Sequence, residues 1–247
     1  MQLDHVAYAV TNAELADTVQ RLGAELGVAF IDGGKHPRAG TRNFILPMAS
    51  GQYIEIVAPL EHPVAETVPF GQAVRNRAEA GGGWMGWAVR VDDVAPLEAR
   101  IGRQAGPGHR LRPGGTDLTW KQIGVIDLIA EPILPFFIKW DDMSAHPSIG
   151  GTESVSITEF CLSGDRNSLT TWLGDTPEAL LDDIALTWVE DDEIGLTSVT
   201  FKTASGTVTN LTGTASININ GTVGATTPAA GAFTSLTAST TLGVTGV

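Results

Sequence analysis

A histidine and a glutamate in two separate apolar runs have side chains suited to shared chemistry. His5 lies in Leu3–Val10 and Glu55 lies in Tyr53–Pro59. Both runs are short and rich in apolar and β-branched residues, which predicts β-strands. On neighbouring strands, an imidazole nitrogen and a carboxylate oxygen could bind one divalent metal ion, and Zn, Fe, Mn and Ni all accept such ligands. The same pair could instead transfer protons.

Glu55 is the more unusual of the two residues. Burying a carboxylate inside an apolar strand costs several kcal/mol unless the group is paired. This cost favours a functional role for Glu55. The alternative is that Glu55 faces solvent and that His5 is satisfied locally, by Asp4 or by the region of Thr41.

A polar segment, Lys35–Asn43, separates the two runs. It could carry His36, Arg42 and Asn43 to the rim of a ligand site, where they would bind an anionic or carbonyl-bearing substrate through fixed donors. The alternative is a hairpin loop whose glycines and proline only shape the turns.

A strand followed by a helix occurs three times along the chain. Leu3–Val10 leads into Thr11 and Glu14, which form a capping-box pattern before apolar residues at helical spacing. Gly86–Val91 and Ile157–Leu162 begin the second and third units, and strand-like runs follow each helix. This order predicts an α+β fold of repeated β-α-β-β-β modules, whose curved, mostly antiparallel sheets form a cup with helices on one side.

Several of these pieces, taken in order, resemble the vicinal-oxygen-chelate superfamily and, more narrowly, its glyoxalase-like domain proteins. The matching pieces are Leu3–Val10, residues 33–43, Tyr53–Pro59, Leu118–Lys121 and Leu134–Asp141. The resemblance covers roughly residues 2–209. It implies that two modules pair to make the cup and that a metal ion takes ligands from the first and last strands of each module.

The resemblance implies His5 and Glu55 as metal ligands from the first module. At the matching positions the second module has Gly86 and Phe137, which have no ligating side chain. The implied activity is metal-dependent lyase, isomerase or dioxygenase-type chemistry on a small organic molecule. Glu55 would be a ligand or the catalytic base, and His36 would orient the substrate. The alternative on the same fold is a metal-free protein that binds a small molecule.

The pairing of the modules remains open at this point. Residues 1–60 could face residues 85–140 or residues 153–209, and the second arrangement would bring Glu159 near the site. Four tryptophans, Trp84, Trp87, Trp120 and Trp140, could line a ligand pocket or belong to the core. His62, His109 and His146 each adjoin a proline or a glycine, which predicts that they lie in surface loops.

The composition indicates which partners and which cellular compartment to expect. The formal charge is −13, which argues against nucleic acid as a partner. Cys161 is the only cysteine, which excludes an internal disulfide and fits a reducing compartment. The first residues lack the basic and apolar regions of a signal peptide, and no apolar stretch is long enough to span a bilayer. We therefore expect a cytoplasmic protein with a small-molecule ligand and no membrane partner; a homodimer is left open.

The last part of the chain differs from the rest in amino-acid composition. We predict a domain over residues 1–209 and an uncharged tail of Thr, Gly and Ala over residues 210–247, disordered or β-rich. The tail resembles low-complexity repeats of phage tail-fibre proteins. That resemblance implies a third possibility, a structural role in which the tail displays the globular part on an assembly.

Overall fold

Residues 2–140 build one curved eight-stranded sheet. Its strands are β1 Gln2–Ala9, β2 Ile31–His36, β3 Thr41–Pro47, β4 Tyr53–Pro59, β5 Gly83–Arg90, β6 Gly106–Leu111, β7 Asp117–Ile123 and β8 Phe136–Trp140. Their order across the sheet is β2-β3-β4-β1-β5-β8-β7-β6. β1 pairs antiparallel with β5 at the centre, and β1–β4 and β5–β8 are both parallel pairs. The first module therefore pairs with the second.

The computed structural model describes residues 1–111, 115, 117–181, 183–206 and 208–212. The chain divides into a compact unit, Met1–Ala215, and a second unit, Ser216–Val247. The boundary predicted after residue 209 falls inside a strand, Val208–Thr212. The rest of the predicted tail lies outside the described residues.

Seven helices accompany the strands in the described part of the chain. They are α1 Leu15–Leu26, α2 Val64–Thr67, α3 Pro69–Glu79, α4 Ala95–Ile101, α5 Val125–Ala130, α6 Arg166–Leu173 and α7 Pro177–Leu180, with a 3₁₀ turn at Met143–Ala145. None of them has the length and apolar character needed to cross a bilayer.

Helix α1 shows how the sequence positions these elements. Thr11 and Glu14 exchange hydrogen bonds before the helix, since each backbone N–H donates to the other's side chain at 3.3 Å, and this confirms the predicted capping box. Leu15, Leu22 and Leu26 lie on one buried face against the convex side of the sheet. The helix ends at Gly27, whose φ of 70° is a left-handed conformation that favours glycine.

The third module forms a separate four-stranded sheet. It contains β9 Ser156–Ser163, β10 Ala185–Val189, β11 Gly195–Lys202 and β12 Val208–Thr212, in the order β10-β9-β11-β12. This sheet packs on the convex side of the first sheet, where Phe160 contacts Trp87 with ring centroids 5.8 Å apart. Oε1 of Glu159 accepts a hydrogen bond from Oγ1 of Thr187 in this sheet, at 2.6 Å, and Glu159 is not part of the cup.

The concave side of the eight-stranded sheet is the cup. A second apolar cluster lies there, and helices α3 and α5 contribute Val74, Val125 and Leu128 to it. The edge strands β2 and β6 contact each other, which nearly closes the sheet on itself. The chain therefore has the predicted α+β fold with a cup built from paired modules.

Candidate functional site

The cup holds a cavity of about 430 Å³. Both modules line it. Its polar wall includes His5, His36, Asn43, Glu55 and Arg110, and its apolar wall includes Phe70, Trp120, Val125, Phe136 and Ile138. A cavity of this size, mostly apolar with a few convergent polar groups, suits a small organic molecule.

His5 reaches the cavity because of a bulge in β1. The register with β5 passes from Leu3 opposite Val89 to His5 opposite Ala88, which leaves Asp4 as an extra residue. Side chains normally alternate along a strand, but a bulge re-aims them. Asp4 and His5 are consequently both buried, and Nδ1 of His5 lies 2.7 Å from Oδ1 of Asp4.

Asp4 is the centre of a buried polar cluster. Its Oδ2 accepts a hydrogen bond from Nε1 of Trp140 at 2.9 Å and lies 3.1 Å from Nε2 of His146. Burial alone would raise the pKa of the Asp4 carboxyl, but the hydrogen bonds from His146 and His5 outweigh it and hold the pKa well below its usual range. The ionised Asp4 thus orients the His5 ring, which also stacks on Tyr53 at 4.5 Å.

Glu55 lies on β4 beside β1, with its backbone opposite Ala7. Its side chain is buried, and Oε1 accepts a hydrogen bond from Nδ2 of Asn43 at 2.5 Å. Its other oxygen, Oε2, lies 3.9 Å from Nε2 of His5. That separation is too long for a hydrogen bond, so a ligand atom can contact both groups.

Arg110 completes the polar wall from the opposite edge of the sheet. Its Nη1 lies 2.9 Å from Nε2 of His36 and 3.3 Å from Oδ1 of Asn43. Because a guanidinium can only donate, Nε2 of His36 must accept, and the ring is neutral with its proton on Nδ1. Burial, helped by the charge of Arg110, lowers the pKa of His36 to about 3. The Nδ1–H of His36 then donates to Oγ1 of Thr41, 3.3 Å away.

The structure places four of the five predicted site residues together. His5, His36, Asn43 and Glu55 all line the cavity. Arg42 does not, because alternate residues of β3 point to opposite faces and Asn43 takes the inner one. The Arg42 guanidinium instead lies over the ring of Phe44, 5.4 Å from its centroid, and 4.0 Å from Asp32.

The residues present do not complete the four-ligand metal set that the resemblance implies. At Gly86 an added Cβ would lie 2.8 Å from Cδ1 of Leu128, so the Leu128 side chain fills the space that a larger residue at position 86 would need. Phe137 packs on the convex side, while its neighbours Phe136 and Ile138 line the cavity. Within the described ranges, no group of three His, Cys, Asp or Glu side chains could hold a metal ion. At the four positions that the resemblance implies, His5 and Glu55 have ligating side chains, and Gly86 and Phe137 do not.

Sequence reasoning missed Arg110 and His146. Arg110 lies on β6, where two glycines and a proline conceal the strand pattern. His146 is fully buried rather than exposed, since the segment after β8 folds back under Asp4. Trp120 and Trp140 line the cavity, whereas Trp84 and Trp87 belong to the core on the convex side.

Comparison with known proteins agrees with this architecture. Residues 3–177 match the model of the family described as "Glyoxalase-like domain". No curated protein matches the chain.

Several solved structures are similar to this chain at low identity and low TM-score. Methylmalonyl-CoA epimerase from Mycobacterium tuberculosis is 18% identical with a TM-score of 0.37, and the match covers 56% of this chain and 86% of the epimerase. The Streptomyces coelicolor epimerase in complex with 2-nitronate-propionyl-CoA is also 18% identical, with a TM-score of 0.39 and coverage of 57% and 99%. A xylose isomerase-like TIM barrel/4-hydroxyphenylpyruvate dioxygenase fusion protein is 17% identical with a TM-score of 0.40, and the match covers 83% of this chain and 31% of the fusion.

Similarity at this level indicates neither the fold nor the chemistry of this chain. The family model, however, spans well over half of the sequence. The paired modules and the cup are those that the resemblance implied, and the β1–β5 contact shows that the first module pairs with the second. The chain belongs to the glyoxalase-like domain family and has the vicinal-oxygen-chelate fold.

Proposed function

We propose that the cup binds a small organic carbonyl compound and that Glu55 removes a proton from the carbon next to the carbonyl group. One observation carries the proposal. Oε2 of Glu55 and Nε2 of His5 lie 3.9 Å apart at the cavity wall, each held from behind by a buried partner. A fixed carboxylate in a mostly apolar cavity suits a general base.

The proton transfer follows from the hydrogen bonds around Glu55. Asn43 donates to Oε1, which leaves Oε2 as the oxygen that accepts the proton. The C–H bond breaks, an O–H bond forms on Glu55, and the electron pair moves onto the carbonyl oxygen as an enolate. In D₂O a deuteron from solvent replaces the proton on Glu55. Transfer of that deuteron to the carbon regenerates the carboxylate and the ketone and completes one exchange. The positive charge of Arg110 stabilises the developing negative charge.

His5 would position the reacting group rather than begin the reaction. Asp4 holds the Nδ1 side of the ring, so Nε2 is the nitrogen directed towards Glu55. A carboxylate behind a histidine is also how proteins orient metal-binding imidazoles. Because Gly86 and Phe137, at the positions matching His5 and Glu55 in the second module, have no ligating side chain, no step of the proposal passes through a metal ion.

Hydrogen–deuterium exchange tests the proposal. Two probes are benzylacetone and 2-oxo-4-phenylbutanoate, which share an enolisable CH₂ group next to a ketone. In D₂O, proton NMR should show exchange at that carbon faster with the protein than in buffer. Glu55→Gln should slow it by about 100-fold or more, since general-base catalysis contributes about 10²–10⁴.

Glu159→Gln, on the four-stranded sheet, is the matched control and should exchange like the wild type. Exchange that is no faster than in buffer, or that is unchanged in Glu55→Gln, would overturn the proposed chemistry. Binding of the probes without exchange would support the alternative of a binding protein on the same fold.

A further inference from the structure

The wall of the cavity formed by β7 and β8 differs chemically from the wall that carries the reacting groups. His5 and Glu55 lie on strands of the first module. Strands β7 and β8 of the second module contribute mostly aromatic surface, with Trp120, Phe136 and Trp140 lining the cavity. We infer that the ligand is an aryl alkyl ketone, with its ketone group at Glu55 and its aryl ring against this second wall. The inference rests on the proposed function and adds a substrate class to it.

The register of β7 and β8 gathers the aromatic rings on the concave side. Alternate residues of a strand share a face, and Phe136, Ile138 and Trp140 follow one another at this spacing on β8. Trp120 is paired with Trp140 across the two strands, and their ring centroids lie 5.2 Å apart. Helix α3 adds Phe70, whose ring meets that of Phe136 edge to face with centroids 6.2 Å apart. These four rings, Phe70, Trp120, Phe136 and Trp140, are the aromatic wall of the cavity.

The Trp120 ring is held in place from two directions. Its Nε1 donates a hydrogen bond to Oε1 of Gln122 at 2.8 Å. Gly108 lies directly opposite Trp120 on β6, and a Cβ added at Gly108 would overlap the indole, so the ring lies against the β6 backbone. A binding surface that is already ordered loses less conformational freedom when a ligand arrives. The indole is therefore preorganised as part of the aromatic wall.

The aromatic wall begins beside the reacting groups. The ring of Phe136 meets the ring of His5 edge to face, with centroids 5.5 Å apart. Nε2 of the same His5 ring lies 3.9 Å from Oε2 of Glu55. A ligand whose ketone lies at Glu55 can therefore place an aryl ring on the aromatic wall through a short carbon chain.

An aryl ring suits this wall better than a saturated group of similar size. Aromatic rings in edge-to-face or offset contact attract each other beyond the effect of burying their area. Hydrophobic burial alone would favour the saturated group, which carries more hydrogen-covered apolar surface. The preference between an aromatic and a saturated ring therefore separates ring contacts from simple burial.

Calorimetric titration with two matched ketones tests the inference. Benzylacetone and 4-cyclohexyl-2-butanone have the same ketone chain and differ in whether the ring is aromatic or saturated. The wild type should bind benzylacetone about 3- to 10-fold more tightly, as expected for contacts between aromatic rings. Trp120→Leu keeps an apolar side chain but removes the indole, and it should bind the two ketones within about 2-fold of each other.

Trp188→Leu is the matched control, because it removes an indole from β10 of the four-stranded sheet, and it should bind both ketones as the wild type does. Trp120→Phe should retain part of the preference, since a smaller aromatic ring remains. If Trp120→Leu fails to fold, Trp120→Phe and the wild-type comparison still decide the matter.

Two results would overturn the inference. One is that the wild type binds the saturated ketone at least as tightly as benzylacetone. The other is a preference for benzylacetone that Trp120→Leu leaves unchanged. Deuterium exchange of the same ketones keeps this inference apart from the proposed function. If exchange still depends on Glu55, either result counts against the aryl group alone. Exchange that does not depend on Glu55 would count against the proposed function itself, whatever the two affinities.

Discussion

Arg110 donates a hydrogen bond from Nη1 to Nε2 of His36 across the gap between strands β6 and β2, at 2.9 Å. These are the two edge strands of the eight-stranded sheet. The hydrogen bond therefore links an edge strand of the first module to an edge strand of the second. It also orients the Arg110 guanidinium in the cavity. It requires a neutral His36, which burial and the Arg110 charge both favour.

The neutral state of His36 should make stability depend on pH. The unfolded histidine takes up a proton near its ordinary pKa of 6.5, while the folded one does so only near 3. Protons therefore bind the unfolded chain first, and the contribution of His36 to stability is lost as the pH falls from about 6.5 towards 3. For one such group the loss between pH 7 and pH 5 is about 2 kcal/mol.

His36→Gln, which keeps an oxygen that can accept from Arg110, should lack this loss. Urea unfolding at the two pH values measures it, with the exposed His62→Gln as the control. A pH dependence that is the same in His36→Gln and in the wild type would contradict the assignment.

Asp4→Asn should destabilise the protein strongly at pH 7. The substitution removes a buried charge that receives hydrogen bonds from Trp140 and lies beside His5 and His146. Breaking a buried charged pair costs about 3–5 kcal/mol. The free energy of unfolding in urea is the measurement, and exposed Asp92→Asn should change it by less than about 0.5 kcal/mol. Equal effects of the two substitutions would show that Asp4 is not the centre of the cluster.

Gly86→Ala tests whether the second module could carry a ligand at the position matching His5. The new methyl group would meet Leu128 Cδ1 at 2.8 Å, so the neighbour must move. We expect a loss of about 1–3 kcal/mol in unfolding free energy, as for other overpacked sites. Gly106→Ala, also in a strand, has its nearest neighbour at 4.0 Å and should be close to neutral. A neutral Gly86→Ala would mean that this position can accept a side chain.

Phe160→Ala tests the contact between the two sheets. Phe160 is fully buried and packs on Trp87 of β5. Its loss should cost about 3–5 kcal/mol, as for other large core residues. Val189→Ala on the edge strand β10, where the side chain is 37% exposed, should cost far less. Comparable thermal unfolding of the two variants would mean that the four-stranded sheet adds little to the core.

Much of the fold was predictable because its signals are local. The strands carrying His5 and Glu55 follow from short apolar runs, and α1 follows from Thr11, Glu14 and the leucine spacing. The order of these elements predicted paired modules and a cup. It could not predict which modules pair, because β1 could bond with equal backbone geometry to any strand of suitable length.

The rest of the site depends on tertiary structure. Alternation along β1 predicts that Asp4 faces away from His5, and only the bulge against β5 reverses this. Arg42 and Arg110 are equally basic in the sequence, and the register of β3 and β6 decides which one lines the cavity. His146 is buried because of its contact with Asp4, 142 residues earlier in the chain, which no local pattern reveals.

The most direct test measures exchange and metal content on the same sample. Protein dialysed against a chelator would be assayed for deuterium exchange of 2-oxo-4-phenylbutanoate, with metal determined by elemental analysis. We predict that exchange persists with substoichiometric metal and is lost in Glu55→Gln. A metal-dependent result would contradict this prediction. In that case exchange would disappear with the metal and return with Zn, Mn, Ni or Fe(II), and the protein would bind one equivalent of metal that His5→Ala does not bind.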